Sequence, residues 1–143
     1  MEPIRFTIKL PPITKKNHMQ ILVNSTTGRP FVAQSKQYKE YEETAGLFLR
    51  PRPSEPITEP VNIRYLFYMP TKRKVDSANL ISAADDILVR FGILADDNRD
   101  IIAGHDGTRV FHSKEHPRTE ILIEQLTEAD YTQWKQKKGG PQE

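Results

Sequence analysis

The chain reads as a single α+β domain, a small mixed and mostly antiparallel sheet packed with two main helices. Three observations predict this class. Segments near both ends alternate apolar and polar residues with the period of a half-buried strand. Two internal stretches repeat apolar residues at helical spacing. At 143 residues there is material for one core and not two. No internal repeat of any period modifies the reading.

Composition narrows the function. Hydrophobic residues make up 36% and charged residues 28%, polar for a globular domain yet above the disordered regime. A formal charge of +2 lacks the domain-wide basic excess of a dedicated nucleic-acid binder, so local clusters matter more than the total. With no cysteine, thiol nucleophiles, disulfides and cysteine-based metal sites are excluded. No apolar run approaches the ~20 residues of a membrane span, and Met1-Glu2-Pro3 does not open a signal peptide. The expectation is a soluble cytoplasmic protein with no membrane partner. Neither a Gly-rich phosphate loop nor a nucleophile elbow is present, so no nucleotide cofactor is expected.

In chain order, Ile4 to Leu10 alternates as a strand and Pro11-Pro12 ends it. The loop from Ile13 to Gln20 carries Lys15 and Lys16, which read either as solvated surface or as phosphate contacts. Ile21-Leu22-Val23 and Phe31-Val32-Ala33 flank a Gly-containing turn cluster and predict a hairpin. Ser35 is placed to cap a helix from Lys36 to about Leu49. Four prolines between Pro51 and Pro60 break the chain.

Val61 to Met69 alternates in its first half and is nearly all apolar in its second, as a strand entering a buried sheet would be. Leu80, Ala84, Ile87, Leu88 and Phe91 then define one apolar helix face, with Ala78, Ser82, Asp85, Asp86 and Val89 opposite and Gly92 as the stop. Ile101-Ile102-Ala103 and Arg109 to His112 are strand pieces joined by a bulge or a tight hairpin. Thr119 to Leu126 is the last strand. Ala129 to Lys138 predicts a short helix anchored by Trp134. The expected division is a main domain over 1–127, then a short helix and flexible tail over 128–143.

The chemistry concentrates between residues 72 and 97. Lys72, Arg73 and Lys74 lead to Asp76, Asn79 opens the helix, and Asp96-Asp97 follow it. Phosphodiester hydrolysis needs neutralised phosphoryl oxygens and a nucleophilic water, and Mg²⁺ held by carboxylates supplies both. Each feature also has a plain structural reading. Asp76 or Ser77 caps the helix, Asp96-Asp97-Asn98 makes a solvated turn, and the basic triplet is a surface run. His105 and His112, seven apart, fit no short zinc-ligand spacing and read as hydrogen-bonded histidines near strand ends.

Asp76-Ser77-Ala78-Asn79-Leu80, Asp86, Gly92 and Asp96-Asp97, together with Leu10-Pro11-Pro12 at the start, resemble the RusA family of Holliday-junction resolvases, many of them encoded by phages and prophages. The resemblance runs from Ile4 to about Gln125. It implies a small homodimer that cuts four-way DNA junctions with Mg²⁺ in recombination and repair, through an aspartate cluster and a nearby lysine. Asp76 falls on the first aspartate of the family's Asp-x-Asp-Asn-Leu motif and Asp97 on the second residue of its later acidic pair. The motif's second aspartate falls on Ala78 and its lysine on Ser82, so neither role carries over.

Asp85 cannot replace the missing ligand, because the seven residues from Ala78 are ~10.5 Å of helix rise. Asp86 can join a relocated cluster if it approaches Asp76 across a dimer contact, and Lys72 or Lys74 can stand in for the lysine. The expected site is therefore Asp76 and Asp97 as catalytic groups. Asp96 and Asp86 join them as metal ligands, Lys72, Arg73, Lys74, Lys15 and Lys16 meet DNA, and Asn79 supports the helix start. Two alternatives stand beside it: a branched-DNA binder of the same fold with weakened or lost cleavage, and a small dimeric interaction module with no role on DNA.

Overall fold

The structure, a computed structural model, describes residues 1–15 and 19–137. Its main sheet is built from β1 (Ile4–Ile8), β4 (Val61–Met69), β5 (Ile102–Gly104), β6 (Arg109–His112) and β7 (Arg118–Gln125). The order is β1-β7-β4, with β5 and β6 along the free side of β4. β7 is antiparallel to both β1 and β4, whereas β5 and β6 run parallel to β4. This is the α+β class predicted, a mixed and mostly antiparallel sheet. No helix among the described residues is long and apolar enough to cross a membrane.

The core lies on one face of the sheet. Val61, Ile63, Tyr65 and Phe67 of β4 are at most 2% exposed, and Phe6, Ile8, Ile121 and Ile123 continue the layer on β1 and β7. Burying each large side chain is worth ~1.5–3 kcal/mol. Leu66 and Tyr68 point the other way and are only half-buried. The second half of β4 is thus apolar without being covered on both faces, which corrects the sequence expectation. A one-sided sheet needs only alternation.

Helix α1 (Lys36–Ala45) starts where Tyr38 donates its backbone N–H to Ser35 Oγ over 3.1 Å. It tightens into a 3-10 turn at Gly46–Phe48, so the α-helical part ends before the predicted Leu49. The reason for the glycine is steric: a Cβ on Gly46 would sit 2.4 Å from the Phe91 ring. Arg90 joins the two main helices by ion pairs to Glu42 and Glu43.

Helix α2 (Ser77–Arg90) buries Leu80, Ala84, Ile87 and Leu88 on the sheet, as its periodicity predicts. It stops in a Schellman arrangement. Gly92 adopts φ 75°, its N–H bonds Val89 O at 3.1 Å, and Ile93 N–H bonds Leu88 O at 2.9 Å. The proline-rich stretch is tied to this exit through Ile57 N to Ile93 O at 2.9 Å and Ala95 N to Ile57 O at 3.0 Å.

β2 (Met19–Val23) and β3 (Pro30–Gln34) form the predicted hairpin as a separate sheet, with Ile21, Val23 and Val32 more than 60% exposed. Helix α3 (Glu128–Lys137) follows β7, and Trp134 Nε1 anchors it by donating to Arg99 O at 3.2 Å.

The two strand pieces around Gly104-His105-Asp106-Gly107-Thr108 do not form a hairpin. Both run parallel to β4 on the same side, so they are one edge strand interrupted by a bulge. The interruption turns back on itself through Thr108 N–H to His105 O at 3.2 Å, with Gly107 at φ 85°. Its place in the strand is taken by a side chain, since Tyr65 N–H donates to Thr108 Oγ1 at 3.1 Å.

Candidate functional site

Asp76 is the N-cap of α2. Its Oδ1 accepts from Ala78 N–H at 2.9 Å, and its carbonyl accepts from Asn79 and Leu80 N–H. The cap explains why the helix starts here without excluding a second use of the carboxylate, whose residue is exposed. Lys72, Arg73 and Lys74 are also exposed, in the coil that enters the helix. Ala78 and Ser82 are exposed on α2, where neither offers a charge, and Asn79 is half-buried.

The carboxylates that meet lie at the other end of α2. Lys15 Nζ pairs with Asp86 Oδ2 at 2.7 Å, across a half-buried contact. Asp97 faces the same group. Crowding by surrounding atoms raises its carboxyl above the usual aspartate range, and hydrogen bonds shared with Asp96 and Asp86, with the charge of both, push in the same direction. Asp96 also shapes the loop: its Oδ1 accepts from Asp97 N–H at 2.7 Å and its Oδ2 from Asn98 Nδ2 at 3.3 Å.

The structure thus brings Asp86, Asp96, Asp97 and Lys15 together. Along α2, the ten residues from Asp76 to Asp86 amount to ~15 Å of rise, so these two carboxylates lie on different turns of the helix. Lys15, expected to meet DNA, is engaged by Asp86. Lys16 lies outside the described residues. Among the described residues no three His, Cys, Asp or Glu side chains converge tightly enough to form a ready-made metal cage.

One cluster escaped sequence reasoning. Asp85, expected on the outer face of α2, is 7% exposed. Tyr65 donates its hydroxyl to Asp85 Oδ1 at 2.6 Å, and His105 Nε2 lies 2.9 Å from Oδ2. The correction has a geometric cause. Asp85 sits on the flank of the apolar stripe, ~60° beyond Leu88 at 100° per residue, and the bulge after β5 brings His105 over that flank. His105 is the hydrogen-bonded histidine near a strand end that its sequence context predicts. The available signal was the helical period itself, which puts Asp85 nearer the apolar stripe than Asp86, ~60° against ~100° from its edge.

The family model described as Endodeoxyribonuclease RusA matches residues 9–124 of the chain. The chain belongs to the RusA family. The match runs from the end of β1 through β7 and so takes in Lys15, Asp76, Asp86, Asp96 and Asp97. RusA proteins are endodeoxyribonucleases that act on branched DNA with a divalent metal. Comparison with curated proteins finds no match. In this member of the RusA family Asp86 lies in the later turns of α2 with Asp96 and Asp97 in the loop beyond it, and Asp76 is the acidic residue at its exposed start.

Proposed function

We propose that this protein is a Mg²⁺-dependent structure-specific nuclease that cuts four-way DNA junctions as a homodimer, in recombination and repair. What supports the reading is the acidic surface where Lys15 pairs with Asp86 at 2.7 Å and Asp96 orders the loop carrying Asp97. Asp86 and Asp96 both raise the Asp97 carboxyl, a repulsion that a cation relieves. The donors are all hard oxygen, the chemistry Mg²⁺ takes, and that ion needs only one or two protein carboxylates when substrate phosphate and water complete its shell. The residues therefore fit the metal without a closed cage.

Asp97 and Asp86 would hold the ion, with Asp96 fixing the loop beneath them. A bound Mg²⁺ supplies neutralising charge on the phosphoryl oxygens and an acidified water. Lys15, 2.7 Å from Asp86 Oδ2, would offer its ammonium to a phosphate bound beside that carboxylate. Lys72, Arg73 and Lys74 contact flanking phosphates through their exposed ammonium and guanidinium groups. Asp76, ~15 Å of helix rise from Asp86, would act together with Asp86 if a second copy sets its α2 start beside the first copy's acidic loop. A homodimer, with the main domain over 1–127 as its unit, would provide that arrangement.

A second reading, binding of branched DNA without cutting, is favoured by Ala78 and Ser82, which place no ligand and no cation on the exposed start of α2. A four-way-junction assay with and without Mg²⁺ separates the two. Mg²⁺-dependent cutting lost in Asp97→Asn supports the nuclease, whereas salt-sensitive binding without cutting supports the second reading. No junction binding at low salt sinks both.

A further inference from the structure

The helices α1 and α2 cover one face of the main sheet, and the other face presents an ordered row of aromatic and cationic side chains. Register places Phe111 of β6 beside Tyr68 of β4, and Tyr68 beside Arg118 of β7. The rings of Phe111 and Tyr68 lie 5.4 Å apart at 36°, and the Arg118 guanidinium sits 3.7 Å from the Tyr68 ring centroid. Arg118 is held in that position by Glu120 Oε2 at 2.8 Å and His116 O at 2.9 Å. Phe111 is nevertheless 45% exposed. With Tyr68 and Arg118 half-buried beneath it, the exposed Phe111 ring ends a prearranged π-cation row whose ordering cost is already met.

Beyond Arg118 the row runs into a hollow of about 530 Å³ lined by Lys9, Pro11, Glu115, His116, Pro117 and Arg118. Glu115 is its one carboxylate, and Glu120 on the row itself is occupied by Arg118. At the other side Ser113 N–H bonds Met69 O at 2.9 Å, tying the end of β6 to the strand end from which Lys72, Arg73 and Lys74 follow. Flat π faces with Arg118, Lys9 and His116 at one end and a basic coil following β4 match a ligand that is itself flat, aromatic and anionic.

We propose that Phe111, Tyr68 and Arg118 form a stacking platform for unpaired nucleotides, with Lys9 and His116 beside the hollow meeting the attached phosphate. The choice of nucleic acid as occupant rests on the nuclease reading above; the platform's geometry does not. Unstacked bases at a branch point would lie on this row while the continuous duplex arms remain on the basic loop. Stacking on such a platform tolerates any base, since every base has a π face.

The test uses the whole protein in EDTA and a fluorescent oligothymidylate of roughly ten nucleotides, read by anisotropy. Phe111→Val keeps strand propensity and removes the ring, and is expected to weaken binding roughly 5- to 100-fold, with Phe111→Tyr restoring it. Arg118→Lys keeps the charge, loses the plane and also weakens binding. The unmodified protein should prefer the oligothymidylate over an abasic strand of equal length, a comparison that needs no variant to fold. Equal affinity for those two strands, or wild-type affinity in Phe111→Val, overturns the platform. So does a change of sedimentation in Phe111→Val with unchanged oligonucleotide binding, which would make the row a contact between copies. Loss of junction cutting in Asp97→Asn is independent of all these outcomes. A platform that binds single strands in a protein inert on junctions would keep this inference and overturn the nuclease.

Discussion

The Tyr65 hydroxyl donates to Asp85 Oδ1 over 2.6 Å inside the sheet–helix interface, where both residues are buried. Burial, then the charge and hydrogen bond of Asp85, raise the Tyr65 hydroxyl well above its ordinary range, so Tyr65 stays a neutral donor. Tyr65→Phe removes one partner of a charged acceptor and is expected to cost ~1.5–3 kcal/mol in urea unfolding. His105→Ala in the same background should cost more than in wild type, because it leaves Asp85 without a partner. Additive effects of the two changes would show that the three groups do not act as a unit.

Asp97 gives a pH dependence of defined sign. Its folded-state value is raised, so between the ordinary aspartate value and the raised one the folded protein binds more protons than the unfolded chain. Stability in EDTA therefore falls as pH rises through that window. Asp97→Asn should melt higher than wild type above the window and match it below. Adding Mg²⁺ should raise the melting temperature of wild type and leave that of the variant unchanged.

Two substitutions at Asp76 separate its cap from any metal role. Asp76→Ala removes the acceptor for Ala78 N–H and is expected to cost ~1 kcal/mol. Asp76→Asn preserves the cap at nearly full stability. Loss of junction cutting in the stable Asn variant would assign the carboxylate to chemistry; retained cutting would leave it as a cap alone.

Ala78→Asp combined with Ser82→Lys places a carboxylate and a cation on the exposed start of α2, where neither needs burial. If the site is a weakened resolvase, the double variant should cut junctions at least tenfold faster with unchanged melting temperature. An unchanged rate would mean that Asp86, Asp96 and Asp97 work without that end of the helix.

Gly46→Ala tests the contact between α1 and the end of α2. The added methyl would meet the Phe91 ring at 2.4 Å, so the ring must move. A loss of ~1–3 kcal/mol is expected by chemical denaturation, and Phe91→Leu in the same chain should recover part of it.

Much of this architecture is legible without coordinates. The Ser35 and Asp76 caps, the apolar stripe of α2 and its Gly92 stop are local, each set by a handful of neighbouring residues. The edge strand was harder, since a bulge and a hairpin have the same turn residues and differ only in which side of β4 receives them. Leu66 and Tyr68 misled in the other direction, because an apolar side chain on a strand does not say whether its face is covered.

The amino-acid order by itself determined the class, the sequence of elements and the RusA-type motif from Asp76 to Asp97, because propensity, capping and period act over a few residues. The tertiary structure alone decided which acidic groups meet. Lys15 and Asp86 touch across 71 positions of chain, and Asp85 reaches Tyr65 across 20. Those pairings depend on how α2 is rotated on the sheet. Two adjacent aspartates, ~100° apart around the helix, consequently enter different surroundings, one buried with Tyr65 and His105 and the other facing Asp97.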